Sequence, residues 1–305
     1  GNESPQSAAL PLTVDTAAPA APTGVTVTDD VAPVTGAIAA NGASNDNKPT
    51  FAGAAGSAEA GSTITVMDGA TVLGTAVVAA DGSWSVTPTT ALADGAHSIT
   101  TRATDAAGNV SPVSPALALT VDTAAPAAPA APTSTAPSTN DNTPGIHIGV
   151  GLTDTPSLYV DGVKVPATYD PVTGMLTPTT PLADGAHSIT TTLTDAAGNE
   201  SPQSAALPLT VDTAAPAAPA APTSTAPSTN DNTPGIHIGV GLTDTPSLYV
   251  DGVKVPATYD PVTGMLTPTT PLADGAHSIT TTLTDAAGNE SPQSAALPLT
   301  VDTAA

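Results

Sequence analysis

Short stretches of alternating apolar and polar residues recur along the whole chain. HSITTTLTD, SAALPLTVD, STITVMDG and SLYVDG each place every second side chain on one face, the period of a half-buried β-strand. No segment carries a helical period. Within residues 123–212 the pattern predicts strand A near 132–136, B at 145–150, a hairpin over 157–170 around an Asp-Gly turn, E at 175–182, F at 186–195 and G at 203–212. Seven short strands with turns every 8–12 residues predict an antiparallel sandwich of immunoglobulin type.

The pattern repeats. Residues 123–212 and 213–302 are the same 90-residue sequence, letter for letter. Residues 16–122 are a longer relative sharing LADGAHSIT, TDAAGN and LTVDTAAPAAP, with the extra length between Asp29 and Asn47. Residues 1–22 match 198–219, so 1–15 read as the last strand of a preceding repeat and 303–305 as the start of the next linker. This period is too long for a solenoid and long enough for a small domain. The expected fold class is all-β: tandem Ig-like sandwiches, 16–122, 123–212 and 213–302, arranged end to end as a rod. Pro-Ala segments such as TAAPAAPAAP join them as semi-rigid spacers.

Composition changes the picture in three ways. Aromatics are scarce, so the cores must be built from Val, Ile, Leu, Ala and Thr methyls around Trp84, Phe51 and the tyrosines. A thin core without disulfides predicts marginal domains that gain from bound metal. The 27 acidic residues against 4 basic ones, net charge −23, argue against nucleic acid and anionic membranes and favour cations. There is no cysteine, which removes thiol catalysis and Cys-based zinc sites, and no apolar run long enough to span a membrane.

Strand direction sorts the acids. The B–C and F–G loops of each sandwich share the pole facing the preceding domain, where the end of the previous G strand enters. The junctions then gather Asp15, Glu59, Asp105 and Asn109; Asp122, Asp154, Asp195 and Asn199; and Asp212, Asp244, Asp285 and Asn289. Three carboxylates with amide and backbone oxygens make a hard-cation site, suited to Ca2+; a plain Gly-containing turn is the alternative for DAAGN. A second cluster lies in the A–B loop: Asn45 and Asp46, with Asp29 and Asp30 nearby, and its counterparts Asn140, Asp141 and Asn230, Asp231. There an ion site and an Asx-turn are equally open. Asp161 and Asp184 read as turn residues, and His97, His147, His187, His237 and His277 as structural. Asn2, Asn109, Asn199 and Asn289 fit N-x-S, a weak motif. No EF-hand loop, GxSxG or P-loop occurs, so an enzyme is not expected.

The combination DTAAPAAP, NDNKPTFAG, AEAGSTITV, DGSWSVTPTTALADGAHSIT and TDAAGN resembles the bacterial Ig-like repeats of giant surface adhesins, the biofilm-associated and RTX-type adhesins exported by type 1 secretion. The resemblance covers 15–122 and both shorter copies. Those copies lack AEAGST and carry Asp154 or Asp244 where Glu59 would stand. It implies a secreted, extracellular extender on the bacterial cell surface, monomeric, that binds calcium at domain junctions and touches chiefly its neighbouring repeats. An adhesive module binding a glycan or protein is the alternative expectation; two unaltered copies and few aromatics speak against it, and irregular Thr spacing speaks against ice binding.

Overall fold

The computed structural model describes residues 1 and 3–304; Asn2, one of the N-x-S asparagines, and Ala305, the end of the 303–305 segment, lie outside the described residues. Strands are the only regular elements there. By internal contacts the chain divides into two compact units. The first is Gly1–Pro129 with Thr153–Thr155 and Thr192–Pro202; the second is the rest of the described chain.

Each repeat folds as two facing sheets. In 123–212 the larger sheet has the order Ser138–Thr139, Leu207–Val211, Gly185–Thr194, Thr155–Val160, Val163–Val165. The smaller has the order Ile146–His147, Met175–Pro178, Ala167–Asp170. Ser138–Thr139 runs parallel to Thr210–Val211, while the hairpin pairs and the Gly185–Thr194 to Leu207–Val211 pair are antiparallel. Residues 213–302 repeat both sheets 90 positions on. The first repeat has the same five-stranded sheet and a four-stranded partner that uses Gly36–Ala37 of its extra segment.

The hairpin over 157–170 is really two turns. Val163–Val165 returns beside Thr155–Val160, and the chain then crosses to the other sheet as Ala167–Asp170. Pro166 lies at that crossing, where a ladder would have no use for its missing N–H. Strand A contributes one bridge, Thr133 to His147. Strand G begins only at Leu207, because the Ser-Pro-x-Ser segment before it is zipped to strand F by hydroxyls: Ser201 Oγ accepts the Leu193 N–H and Ser204 Oγ the Thr191 N–H. Residues 1–15, expected as a lone G strand, form none among those described, and Leu10, Leu12 and Val14 are exposed.

The expected thin core is present. Ile146, Leu158, Val160, Leu176, Ile189 and Leu209 form it in the second sandwich, and the same six positions in the third. The first is richer, with Phe51 and Trp84 among thirteen buried residues. Tyr169 closes one end of its sandwich: its hydroxyl donates to Gly149 C=O at 2.9 Å and accepts the Leu152 N–H. At one repeated position, Thr101, Thr191 and Thr281, the hydroxyl is buried without a partner. An unmet buried hydroxyl costs about 1–3 kcal/mol, so Thr191→Val is expected to raise the stability of its sandwich by roughly 1 kcal/mol. Chemical denaturation of the variant beside the parent chain checks this.

Candidate functional site: the seams between sandwiches

The DAAGN loop is a small hydrogen-bonded ring. Asp195 N–H donates to Asn199 C=O, and Gly198 N–H to Asp195 C=O. Asp195 Oδ1 accepts the N–H groups of Ala197 and Asn199, both at 2.9 Å. Its Oδ2 accepts the Asn199 side-chain amide at 2.9 Å. The turn needs Gly198 at φ +97°, where an L side chain is strained and a Cβ would also come within 3.0 Å of Val34.

The same Asn199 NH2 group donates its second proton to Asp122 C=O at 2.7 Å. One amide thus ties the loop of one repeat to the last residue of the repeat before it. Asn289 does the same with Asp285 and Asp212 C=O, and Asn109 with Asp105 and Asp15 C=O. A second tie accompanies it: Asn45 N–H donates to Ala197 C=O at 3.0 Å, and Asn140 N–H to Ala287 C=O at 3.1 Å. Thr192–Pro202 accordingly belongs with the first compact unit, and Ala197 and Asn199 are buried. The Asn bond holds the Asp105 and Asp285 carboxyls below the ordinary carboxylate value, against the opposing effect of partial burial and with added help from loop N–H groups.

These seams bring together some of the expected residues and not others. Asp105, Asp195 and Asp285 meet Asn109, Asn199 and Asn289. The linker residues Asp15, Asp122 and Asp212 enter through their backbone carbonyls. Their carboxylates turn outward and accept the N–H two residues on, at Ala17, Ala124 and Ala214. Glu59 is exposed, and its carbonyl accepts Ser62; Asp154 and Asp244 bond their neighbouring threonines. Among the described residues no group of three Asp, Glu, His or Cys side chains is placed to hold a metal ion. In this arrangement the NH2 of the asparagine stands where loop carboxylate and linker carbonyl converge, so the three seams as folded do not fit a cation.

The second cluster differs between repeats. In the first sandwich, Asp29 and Asp46 are almost fully buried, 5% and 3% exposed. Asp29 accepts Ser44 Oγ at 2.6 Å and Val31 N–H; Asp46 accepts the N–H groups of Lys48 and Asp30. Ser44 Oγ in turn accepts Asp46 N–H, which fixes the two acids as neighbours. Beside them Asn45 Oδ1 is buried with no partner, while its Nδ2 leans on Ala32 C=O at 3.4 Å. Two buried carboxylates and an orphaned amide oxygen are the chemistry a hard cation satisfies. Here the residues fit calcium. In the shorter copies, Asp141 and Asp231 are exposed and cap their own loop, each accepting both N–H and O–H of Thr143 or Thr233. Those are Asx-turns.

Two sets of residues read as turn or structural positions do more. Asp94, Asp184 and Asp274 of LADG accept the first residue of each linker, through both N–H and O–H of Thr123, Thr213 and Thr303. The recurring 29-residue spacing from LADG to VDT was the sequence signal for this tie. His97, His187 and His277 bond Asp68, Asp161 and Asp251 on the hairpin turns.

The profile of the bacterial Ig-like domain family matches residues 21–123, 131–213 and 221–303. The chain belongs to that family, in three tandem copies. No curated protein matches it. Among solved structures it is similar to the fibronectin(III)-like modules of Clostridium thermocellum CbhA, at 16% identity over 61% of this chain and 94% of that one, TM-score 0.39. It is also similar to a 1.5-MDa bacterial ice-binding adhesin, at 16% identity over 93% and 100%, TM-score 0.29. A tetra-tandem repeat from the extending region of a large adhesion protein gives 20% identity over 94% and 75%, TM-score 0.25. Scores of this size carry no weight for function.

Proposed function

We propose that the chain is an extender segment of a bacterial surface adhesin, a series of spacers whose seams hold successive sandwiches in a set relation. The observation that carries this reading is the repetition of one pair of ties. An asparagine amide reaches the linker carbonyl, and an A–B loop N–H reaches the next DAAGN loop, with the same residue types at the Asp122 and Asp212 seams. Copies joined through the same pair of hydrogen bonds supply length. They do not supply variety, which a ligand-binding series would need. The family assignment and the acidic surface, which keeps chains apart, support the same reading. Scattering measurements on chains with one, two and three copies of 123–212 are expected to show the maximum dimension growing by a constant step, roughly 40 Å for strands of ~30 Å plus a linker. A step that shrinks with each added copy would remove the spacer role.

Calcium enters this proposal at the first sandwich. Asp29, Asp46 and Asn45 Oδ1 would hold the ion, with Asp30 beside them, and the ion would neutralise two buried carboxylates. Because Asn45 also donates its backbone N–H across the seam, order in this loop bears on the hinge. Extracellular modules bind calcium at about 10⁻⁴–10⁻³ M, and binding to the folded form alone stabilises by RT ln(1 + [L]/Kd), about 2.7 kcal/mol at 100 Kd. The expected result is a higher melting temperature for the first sandwich in calcium than in chelator, with no gain for the two shorter copies. Asp46→Asn should abolish that gain. No difference between calcium and chelator would remove calcium from the account and leave the hydrogen-bonded seams untouched.

A further inference from the structure

The three histidines that begin the long F strands face two acceptors each. His187 Nδ1 lies 2.8 Å from Asp161 Oδ2, and its Nε2 lies 2.8 Å from Ala183 C=O. His277 repeats this with Asp251 and Ala273, and His97 with Asp68 and Ala93. A carbonyl oxygen only accepts, and so does an ionised carboxylate. Asp161 is half exposed and takes the Ser188 N–H on its other oxygen at 2.8 Å, the setting of an ionised acid. The ring can donate to both acceptors only when both nitrogens carry protons, in the imidazolium form.

What the ring holds is specific. Asp161 sits at the hairpin turn with φ +52° and Asp251 with φ +51°, the left-handed conformation that an Asp-Gly hairpin turn takes. Ala183 belongs to the LADG loop, and the next residue, Asp184, accepts the N–H and O–H of Thr213, the first residue of the linker. The imidazolium thus joins the hairpin turn to the loop that anchors the linker. On the elements around it the titratable groups are Asp161 on the hairpin turn, Asp184 in the loop leading into its own strand, Asp212 past the end of the neighbouring strand, and Lys164 on the outgoing hairpin strand. The Lys164 ammonium lies over the Tyr159 ring.

We propose that His97, His187 and His277 are acid-set staples that fix the linker-anchoring loops while protonated and loosen them when the ring loses a proton. A neutral imidazole has one N–H. The carboxylate repels a bare nitrogen lone pair, so the remaining proton stays on Nδ1 and the bond to the Ala carbonyl is the one lost. Nε2 then presents a lone pair to that carbonyl, and the LADG loop loses its inner tie while still carrying the linker. The hinge stiffens in mildly acidic surroundings and relaxes in alkaline ones.

The direction of the proton affinities agrees. The Ala183 carbonyl, then the Asp161 bond, raise His187 above the ordinary histidine value against partial burial, and His277 is raised in the same way. In His97 burial is the largest influence and pushes down, but Asp68 and Ala93 together outweigh it. The partner acids Asp161 and Asp251 are held below the ordinary carboxylate value, chiefly by His187 for the first and by the Ser278 N–H and then His277 for the second. A raised histidine adds stability that is complete below about pH 6.5 and is lost as pH climbs through the folded value; a lowered aspartate adds stability that is lost as pH falls below about 3.8. The staple is strongest between these limits.

The test uses the full chain in chelator, so that calcium has no part in it. Nitrogen-15 spectra of the rings should show two N–H groups on each of the three histidines at pH 6 and titration above the ordinary value of about 6.5. Amide exchange at Thr123, Thr213 and Thr303, corrected for base catalysis, should show protection falling several-fold as the rings deprotonate. In His187→Gln the step should vanish at Thr213 and persist at Thr123 and Thr303, the other copies reporting that the chain is folded. A single ring proton at pH 6, or a step at Thr213 that survives His187→Gln, overturns the proposal.

Discussion

Ile189→Ala should melt the second sandwich well before its identical twin. Ile189 is fully buried in a core of six residues. Removing a buried isoleucine side chain down to Ala costs about 2–5 kcal/mol, the lost transfer energy plus the cavity left behind. A domain of this size has only about 4–13 kcal/mol in total, and a core of six aliphatic side chains belongs near the lower end. Each kcal/mol moves the midpoint of such a domain by about 4–8 °C, so a fall of more than about 10 °C is expected. The sequence supplies its own control. Residues 213–302 carry the same core, including Ile279, and calorimetry of the variant should resolve one transition lowered beside one in place. A single unshifted transition would show that the core is not what holds the sandwich.

The second large effect is at the seam. In Asn289→Asp the donor that bridges two oxygens becomes a third acceptor. Both amide bonds go, to Asp285 Oδ2 at 2.9 Å and to Asp212 C=O at 2.7 Å, and two carboxylates then face one another. A hydrogen bond to a charged partner contributes about 1.5–3 kcal/mol and a neutral one about 0.5–1.5 kcal/mol, with repulsion added. One tie across the seam remains, Asn140 N–H to Ala287 C=O. Amide exchange at Asn140 is expected to rise strongly while the cores on either side stay protected. Asn289→Ala, which removes the donors without adding charge, should show a smaller rise. Equal exchange in the variants and the parent chain would mean that the amide carries no load.

How far the sequence reached depends on which atoms did the work. Side-chain alternation is a direct imprint of the pleat, so the paired sheets and the buried set of Ile146, Leu158, Leu176, Ile189 and Leu209 were legible. The edge strands were not. Pro166 and the Ser-Pro segment at 201–202 end ladders through missing N–H groups and hydroxyl bonds, which hydropathy does not register. At the seams, residue type led to these loops but not to the bonds the structure makes there. Asp122 looks like a ligand by its carboxylate, yet it contributes a backbone carbonyl that any residue has, and its side chain serves its own turn. Asn199 looks like a supporting oxygen and acts through its nitrogen. Asp29, Asn45 and Asp46 were visible as a cluster, but an Asx-turn and an ion site have the same letters. Only burial, and the orphaned Oδ1 of Asn45, separates them from Asp141, which is exposed and content with Thr143. The histidine staple was hidden because its second acceptor, the Ala183 carbonyl, has no sequence signature.

On the reading proposed above, an asparagine amide at each seam fixes one sandwich to the next. Val172 and Val262 occupy the same exposed turn in the two identical copies, each 84% accessible, and the chain has no cysteine of its own. Spin labels at Val172→Cys and Val262→Cys give the distance across the Asp212–Asn289 seam by pulsed electron resonance. In chelator the distribution should be narrow, and Asn289→Asp should broaden it. A broad distribution in the labelled parent chain, unchanged by that substitution, would contradict the account.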